Sequence, residues 1–175
     1  MTHYDDTAHG QIPTPTEDWE KLANTPQQTL KVKKLHPDAI IPKYATYGAA
    51  CFDLHAIDCR NDSPVLPYAG TTFRTGLAFE VPSGHVMLVF SRSGHGFKHE
   101  TRLANCVGVI DSDYRGELMV RLVREAGTEI DFLCVSPGDR IAQAMLVPIP
   151  RVALVEVKEL SETERGTGGF GSTGV

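Results

Sequence analysis

Thr71-Thr-Phe-Arg-Thr-Gly-Leu-Ala-Phe-Glu-Val81, Pro82-Ser-Gly84 and His85-Val-Met-Leu-Val-Phe90 together decide the fold class. The first run predicts a strand over 71–81 that stops at a Pro-Ser-Gly turn. The second is short, nearly all apolar and rich in β-branched residues, so it reads as a buried strand. Working outward, Leu30 to Leu35 alternates, and Leu118 to Arg124 alternates toward a turn at Gly127. Ile130 to Val135 reads as a strand closed by Ser136-Pro-Gly138, and Ile141 to Val147 and Val152 to Val157 complete the set. Turn signals recur every 8–12 residues or so and no long amphipathic helix appears, which predicts an all-β sandwich or barrel.

The chain has 175 residues, 41% of them apolar, enough for one domain with one core. No apolar run approaches the roughly 20 residues of a membrane span. No basic-then-apolar leader points to secretion. Cys51, Cys59, Cys106 and Cys134 form no C-x-x-C pair, so they read as reduced, mostly packing thiols of a cytoplasmic protein. The net charge is −5. Residues 1–30 hold five acids (Asp5, Asp6, Glu17, Asp18, Glu20) against Lys21, a local −4 that leaves −1 for the rest. No basic stripe suits long nucleic acid, whereas a few local arginines suffice for a small anion.

Residues 1–29 read as an N-terminal extension, polar and interrupted by Pro13, Pro15 and Pro26. Thr14-Pro-Thr-Glu17 has the form of a capping box for one short helix that carries Trp19 and Leu22 and ends near Ala23. Residues 30–160 form the β domain, and 161–175 a Gly-rich arm. From Arg165 the arm holds a cation, Phe170, five glycines and hydroxyls. No core is built from such residues, but they suit a flexible strap that orders on a nucleotide.

Three further stretches carry chemistry. In Asn105-Cys-Val-Gly-Val-Ile-Asp-Ser-Asp-Tyr-Arg-Gly-Glu117 the Asp111 carboxylate begins where an apolar run stops. That position fits a general base, and equally a turn acceptor. Tyr114 and Arg115 either meet a ligand or cover the surface. Arg92-Ser93-Gly94 directly follows a buried strand and presents a cation, a hydroxyl and a bare N–H, a trio suited to phosphate oxygens. Gly138 to Gln143 is a turn leading into a strand. On a regular strand Gln143 shares a face with Ile141 and Met145, so it needs a partner, ligand or backbone. His95 and His99 have the spacing of a helical metal pair, but Gly94 and Gly96 argue against a regular helix and no third ligand is evident.

Five segments, Gly48–Ala56, Arg92–Gly94, Asn105–Gly116, Gly138–Gln143 and Arg165–Gly174, resemble the five motifs of the trimeric dUTPase family, in order and at its spacing. The resemblance implies a jelly-roll-like β-clip sandwich and a homotrimer with shared active sites. It also implies hydrolysis of dUTP to dUMP and pyrophosphate, which keeps uracil out of DNA and supplies dUMP for thymidylate synthesis. Asp111 then orients and deprotonates the attacking water. Tyr114 packs on the deoxyribose, while Asn105 with backbone of Val109, Ile110 and Met119 reads the uracil edge. Arg92, Ser93, Gly94 and Gln143 hold phosphates. Arg165 reaches the γ-phosphate, Phe170 covers the uracil, and Gly171 and Ser172 clamp the triphosphate. Mg²⁺ is expected on substrate phosphates and waters, with Asp53 nearby and no direct protein ligand. Cys51, Ser91 and His95 stand where the family usually has Gly, Pro and Leu. A dCTP deaminase-like enzyme and a dUTP-sensing regulator of the same fold are the alternatives. The first lacks the Asp-Tyr-Arg-Gly pattern; the second would bind dUTP without turnover.

Overall fold

A computed structural model describes residues 28–46, 48–57, 63–64, 70–124 and 133–169. The capping box, Trp19, Cys59, Phe170, Gly171 and Ser172 lie outside the described residues. The expected all-β architecture is present. A four-stranded antiparallel sheet has the order β2 (Phe52–His55), β11 (Arg140–Pro148), β6 (His85–Phe90), β8 (Val107–Ile110). A three-stranded sheet has the order β4 (Thr71–Arg74), β9 (Met119–Arg124), β7 (Thr101–Leu103). Two smaller antiparallel pairs join β1 (Lys31–Lys34) to β5 (Leu77–Glu80) and β3 (Ser63–Pro64) to β10 (Cys134–Val135). Leu54, Phe73, Met87, Leu122 and Ile141 fill the core from both main sheets and Leu77 from the β1–β5 pair.

Three strand expectations are corrected. Residues 71–81 are two strands, not one. The chain bends at Thr75–Gly76, where Gly76 has φ +66°, and β4 pairs with β9 while β5 pairs with β1. Such a bend lets one run of residues serve two sheets. Residues 152–157 form no strand although five of the six are apolar. Val152, Leu154 and Val155 are 73%, 94% and 76% exposed. A strand needs a neighbour to receive its N–H and C=O groups, and among the described residues no strand of this chain pairs with that segment. Of the strand expected at 130–135, residues 133–135 are described, and Cys134–Val135 are the strand.

The helix that Gly94 and Gly96 argued against does exist: α1 spans Ser93–His99. It is one short piece, closed at its C-terminus by Glu100 in the left-handed region (φ 46°) with its N–H bonded to Gly96 O at 3.1 Å. Packing against β7, with His95 buried, outweighs the poor helix propensity of two glycines. Cys106 and Cys134 are exposed, not packed. Cys51 does not adopt a glycine-like backbone, since among the described residues only Glu100 and Cys106 have positive φ without being glycine.

Candidate active site

Among the described residues β8 lies at the end of its sheet, and no strand pairs with the other edge of its backbone. The chain enters β8 from β7 and leaves it for β9, and both neighbours belong to the other sheet. Two crossings at one place hold the sheets apart and leave a cavity of about 290 Å³. Asn105, Val109, Ile110 and Met119 all line it. The corner is held by Ala104 N–H donating to Arg121 O (2.9 Å) and by a tight turn at Cys106, φ 62°. Gly108 faces Val89 across β6–β8, and a Cβ there would lie 3.0 Å from the valine Cβ. The strand therefore sits as close to its neighbour as a glycine allows.

The Asp111–Leu118 loop runs from β8 to β9. Asp111 is exposed at its start, and its carbonyl accepts the Tyr114 N–H at 3.2 Å. The Tyr114 ring lies over Gly116, where an added Cβ would sit 2.6 Å from the ring Cζ, and its hydroxyl donates to Glu117 O at 3.0 Å. Arg115 curls back onto the carbonyls of Ser112 (2.7 Å) and Tyr114 (2.9 Å), which gives it a turn-stabilising place.

A second group gathers at the end of β6. β2, β11 and β6 lie side by side with Asp53, Gln143 and Phe90 in register. Asp53 accepts from Arg92 Nε at 3.1 Å and from an Arg140 guanidinium N–H at 3.3 Å, and its side chain is only 16% exposed. One carboxylate thus holds two guanidiniums of opposite strand ends in one place. Gln143 donates to Ser91 O at 2.9 Å, so the backbone supplies its partner. A bulge between Arg140 and Ala142 breaks the regular alternation expected around Gln143: Ile141 and Ala142 are both fully buried. Ser93 and Gly94 are exposed beside Arg92.

Ser91 joins the two groups. Its hydroxyl accepts the Leu103 N–H at 2.9 Å, at the root of the β7–β8 corner, while its carbonyl holds Gln143. Sequence reading noted Ser91 only as a departure from a family pattern, and it passed over Arg140 as a partner of Asp53. Each partnership spans 12 to 87 residues and leaves no local signature. Arg165 is not brought to either group. It sits in an exposed turn and donates to Gly168 O at 2.8 Å, within its own segment.

The comparisons with known proteins bear on the family and the fold. The dUTPase family model matches residues 37–174. The chain belongs to the dUTPase family. The deoxyuridine 5'-triphosphate nucleotidohydrolase of Nautilia profundicola is 46% identical over 145 residues, 83% of this chain and 98% of that protein. The Helicobacter pylori (strain J99) protein of the same name is 38% identical over 146 residues, 83% and 97% of the two chains. Among solved structures, a Staphylococcus bacteriophage 80alpha dUTPase variant with dUpNHpp superposes with a TM-score of 0.70 at 27% identity, covering 85% of this chain and all of that one. A phage phi11 dUTPase variant, solved to show the coordination of a structural Mg(II) ion, has a TM-score of 0.61 at 26% identity, over 75% and 98% of the chains.

His95 of α1 is a buried ionisable group. The imidazole is 9% exposed and its Nδ1 has no hydrogen-bond partner. Burial pushes its pKa down to about 4, with the Arg92 guanidinium adding to the effect, His99 and Arg140 adding less, and Asp139 opposing. A folded-state pKa below the ordinary value of about 6.5 means that the unfolded chain binds the proton more tightly. The contribution of neutral His95 is therefore complete above about pH 6.5 and is lost as pH falls toward 4. His95→Leu should flatten this loss: between pH 7.5 and 5 the wild-type melting temperature should fall by roughly 4 °C more than that of the variant. Parallel melting curves by differential scanning fluorimetry would contradict a buried neutral imidazole.

Proposed function

We propose that this dUTPase hydrolyses dUTP to dUMP and pyrophosphate, with Asp111 as the base. The observation that carries the reading is the edge of β8. No described strand pairs with that edge, β8 residues line the cavity together with Asn105 and Met119, and Asp111 directly follows the last residue of the strand. A backbone edge pairs with the uracil edge as one strand pairs with another. Cytosine has a donor where uracil has an acceptor, so it would leave a buried group unpaired. Thymine is rejected by crowding of its methyl group.

The water loses its proton to Asp111 and its oxygen bonds to the α-phosphorus. The bond from that phosphorus to the α,β-bridging oxygen breaks, and pyrophosphate leaves with the electron pair. Positioning and charge neutralisation do most of the work in such a step. Arg92, held by Asp53, supplies one positive charge, and Ser93, Gly94 and Gln143 complete the phosphate side. Tyr114 forms the wall against the deoxyribose. Mg²⁺ would be carried on the substrate's phosphates and waters, where it would neutralise charge. Arg92 and Arg140 take the two Asp53 oxygens, so that carboxylate serves to hold the two cations together.

The enzyme is a homotrimer in this reading, and the arm from Arg165 through Phe170, Gly171 and Ser172 closes on a neighbour's site. Support comes from surfaces that the single chain leaves uncovered. The segment from Val152 to Leu160 exposes Val152, Leu154, Val155, Val157 and Leu160, and a separate groove of about 950 Å³ is lined by Leu30, Val32, Tyr44, Phe52, Phe79 and Leu146 among others. Residues 1–29 have no assigned role. No helix among the described residues is long and apolar enough to cross a membrane. Cys51, Cys106 and Cys134 are free thiols, in keeping with a cytoplasmic enzyme. Incubation with dUTP or dCTP and Mg²⁺ tests the activity: dUTP should yield pyrophosphate and dUMP, and dCTP neither pyrophosphate nor ammonia. Ammonia from dCTP, or dUTP binding without turnover, would overturn the reading.

A further inference from the structure

Glu117 and Arg74 take no part in the roles above, yet they hold the loop that carries Tyr114. β4 ends at Arg74 and β5 begins at Leu77, with a stiff bend between them. At Gly76, φ +66°, a Cβ would lie 2.7 Å from Ile57 Cδ1 and 3.0 Å from the Cβ atoms of Ala39 and His36. The end of the loop is stitched onto this bend. The Glu117 carboxylate accepts from Arg74 Nε at 3.0 Å and from the Gly76 N–H at 2.9 Å. Thr75 donates to Leu118 O through its hydroxyl (2.6 Å) and its N–H (3.3 Å), and Leu118 N–H donates to Leu77 O at 2.8 Å. Arg74 also stands opposite Met119, a cavity residue, in the β4–β9 register.

We propose that Glu117 is a positioning residue for sugar selectivity, which stiffens Tyr114 by tying its backbone anchor to Arg74 and the Gly76 bend. The Glu117 carbonyl accepts the Tyr114 hydroxyl at 3.0 Å, while its own carboxylate grips the scaffold. One residue thus joins the ring to the β4–β5 bend. The need for such a brace follows from the ring's surroundings. Tyr114 is 43% exposed, with a floor at Gly116 and an anchor only at its tip. A ring discriminates against a 2′-hydroxyl by crowding, and crowding is selective only when the wall does not yield. A charge-assisted Arg–carboxylate contact, 18% exposed on the Glu117 side, is suited to keep it from yielding.

The inference rests on the reading of Tyr114 as the deoxyribose wall. Steady-state kinetics on dUTP and UTP test both, with Glu117→Gln, Arg74→Met, Tyr114→Phe, Tyr114→Ala and the double variant Tyr114→Phe/Glu117→Gln. Glu117→Gln and Arg74→Met should each raise the UTP-to-dUTP ratio of kcat/KM by about tenfold, and should raise KM for dUTP more than they lower kcat. The double variant should relax selectivity no further than the worse single one, because both changes cut one tether. An unchanged ratio in Glu117→Gln and Arg74→Met, or fully additive effects in the double variant, would overturn the proposal. If Tyr114→Ala alone leaves the ratio at the wild-type value, the sugar wall and the brace both fall. If Tyr114→Ala relaxes it and the other two do not, only the brace falls. Arg74 is 44% exposed, so its replacement reports even if Glu117→Gln does not fold.

Discussion

Asp111→Asn lowers kcat for dUTP by about 10³-fold while dUTP still binds at close to the wild-type affinity. A positioned general base contributes roughly 10²–10⁴-fold, and three decades correspond to about 4 kcal/mol of barrier. Asparagine keeps the shape and hydrogen-bonding reach of the carboxylate and loses only its capacity to take a proton. The loop geometry should survive, because it is the Asp111 carbonyl that accepts the Tyr114 N–H, and that group is unaltered. Single-turnover kinetics with calorimetric titration of a non-hydrolysable dUTP analogue separate the two effects. Turnover at the wild-type rate would remove Asp111 from the mechanism. A loss of affinity as large as the loss of rate would make it a binding group.

Deletion of residues 165–175 should remove most of the activity, by about 10²-fold or more in kcat/KM, and leave a folded protein of unchanged oligomeric state. The core lies elsewhere: among the described residues, every buried apolar residue falls between Ala39 and Ala144. What the deletion removes is the cation and the glycine-rich strap, whose ordering is entropically costly and should occur only on the triphosphate. Full activity of the truncated protein would refute the strap. The exposed segment from Val152 to Leu160 leads into it without folding back on its own chain, which favours a neighbour as its target. Mixing the truncated protein with Asp111→Asn under subunit exchange should then restore part of the activity, because an intact arm meets an intact base in the mixed trimer. No recovery after exchange, followed by mass-tagged subunits, would mean that each arm serves its own chain.

Local chemistry alone determined that this chain is all-β and where its reactive groups stand. His85–Phe90 is too apolar and too short to be anything but a buried strand, and Asp111 follows the last residue of an apolar run, so it marks the strand end where a carboxylate can face solvent. These readings rest on the period of side chains along a strand, which the order of residues carries by itself. Tertiary structure decided the rest. It split residues 71–81 between two sheets, made a helix of a Gly-rich heptad, and left residues 152–157 unpaired with any described strand. It also brought Arg92 to Asp53, Gln143 to Ser91 and Glu117 to Arg74, groups 39, 52 and 43 residues apart. Such pairings depend on strand register between distant segments, and a register follows from how the whole core packs, not from the residues on either side of the bond.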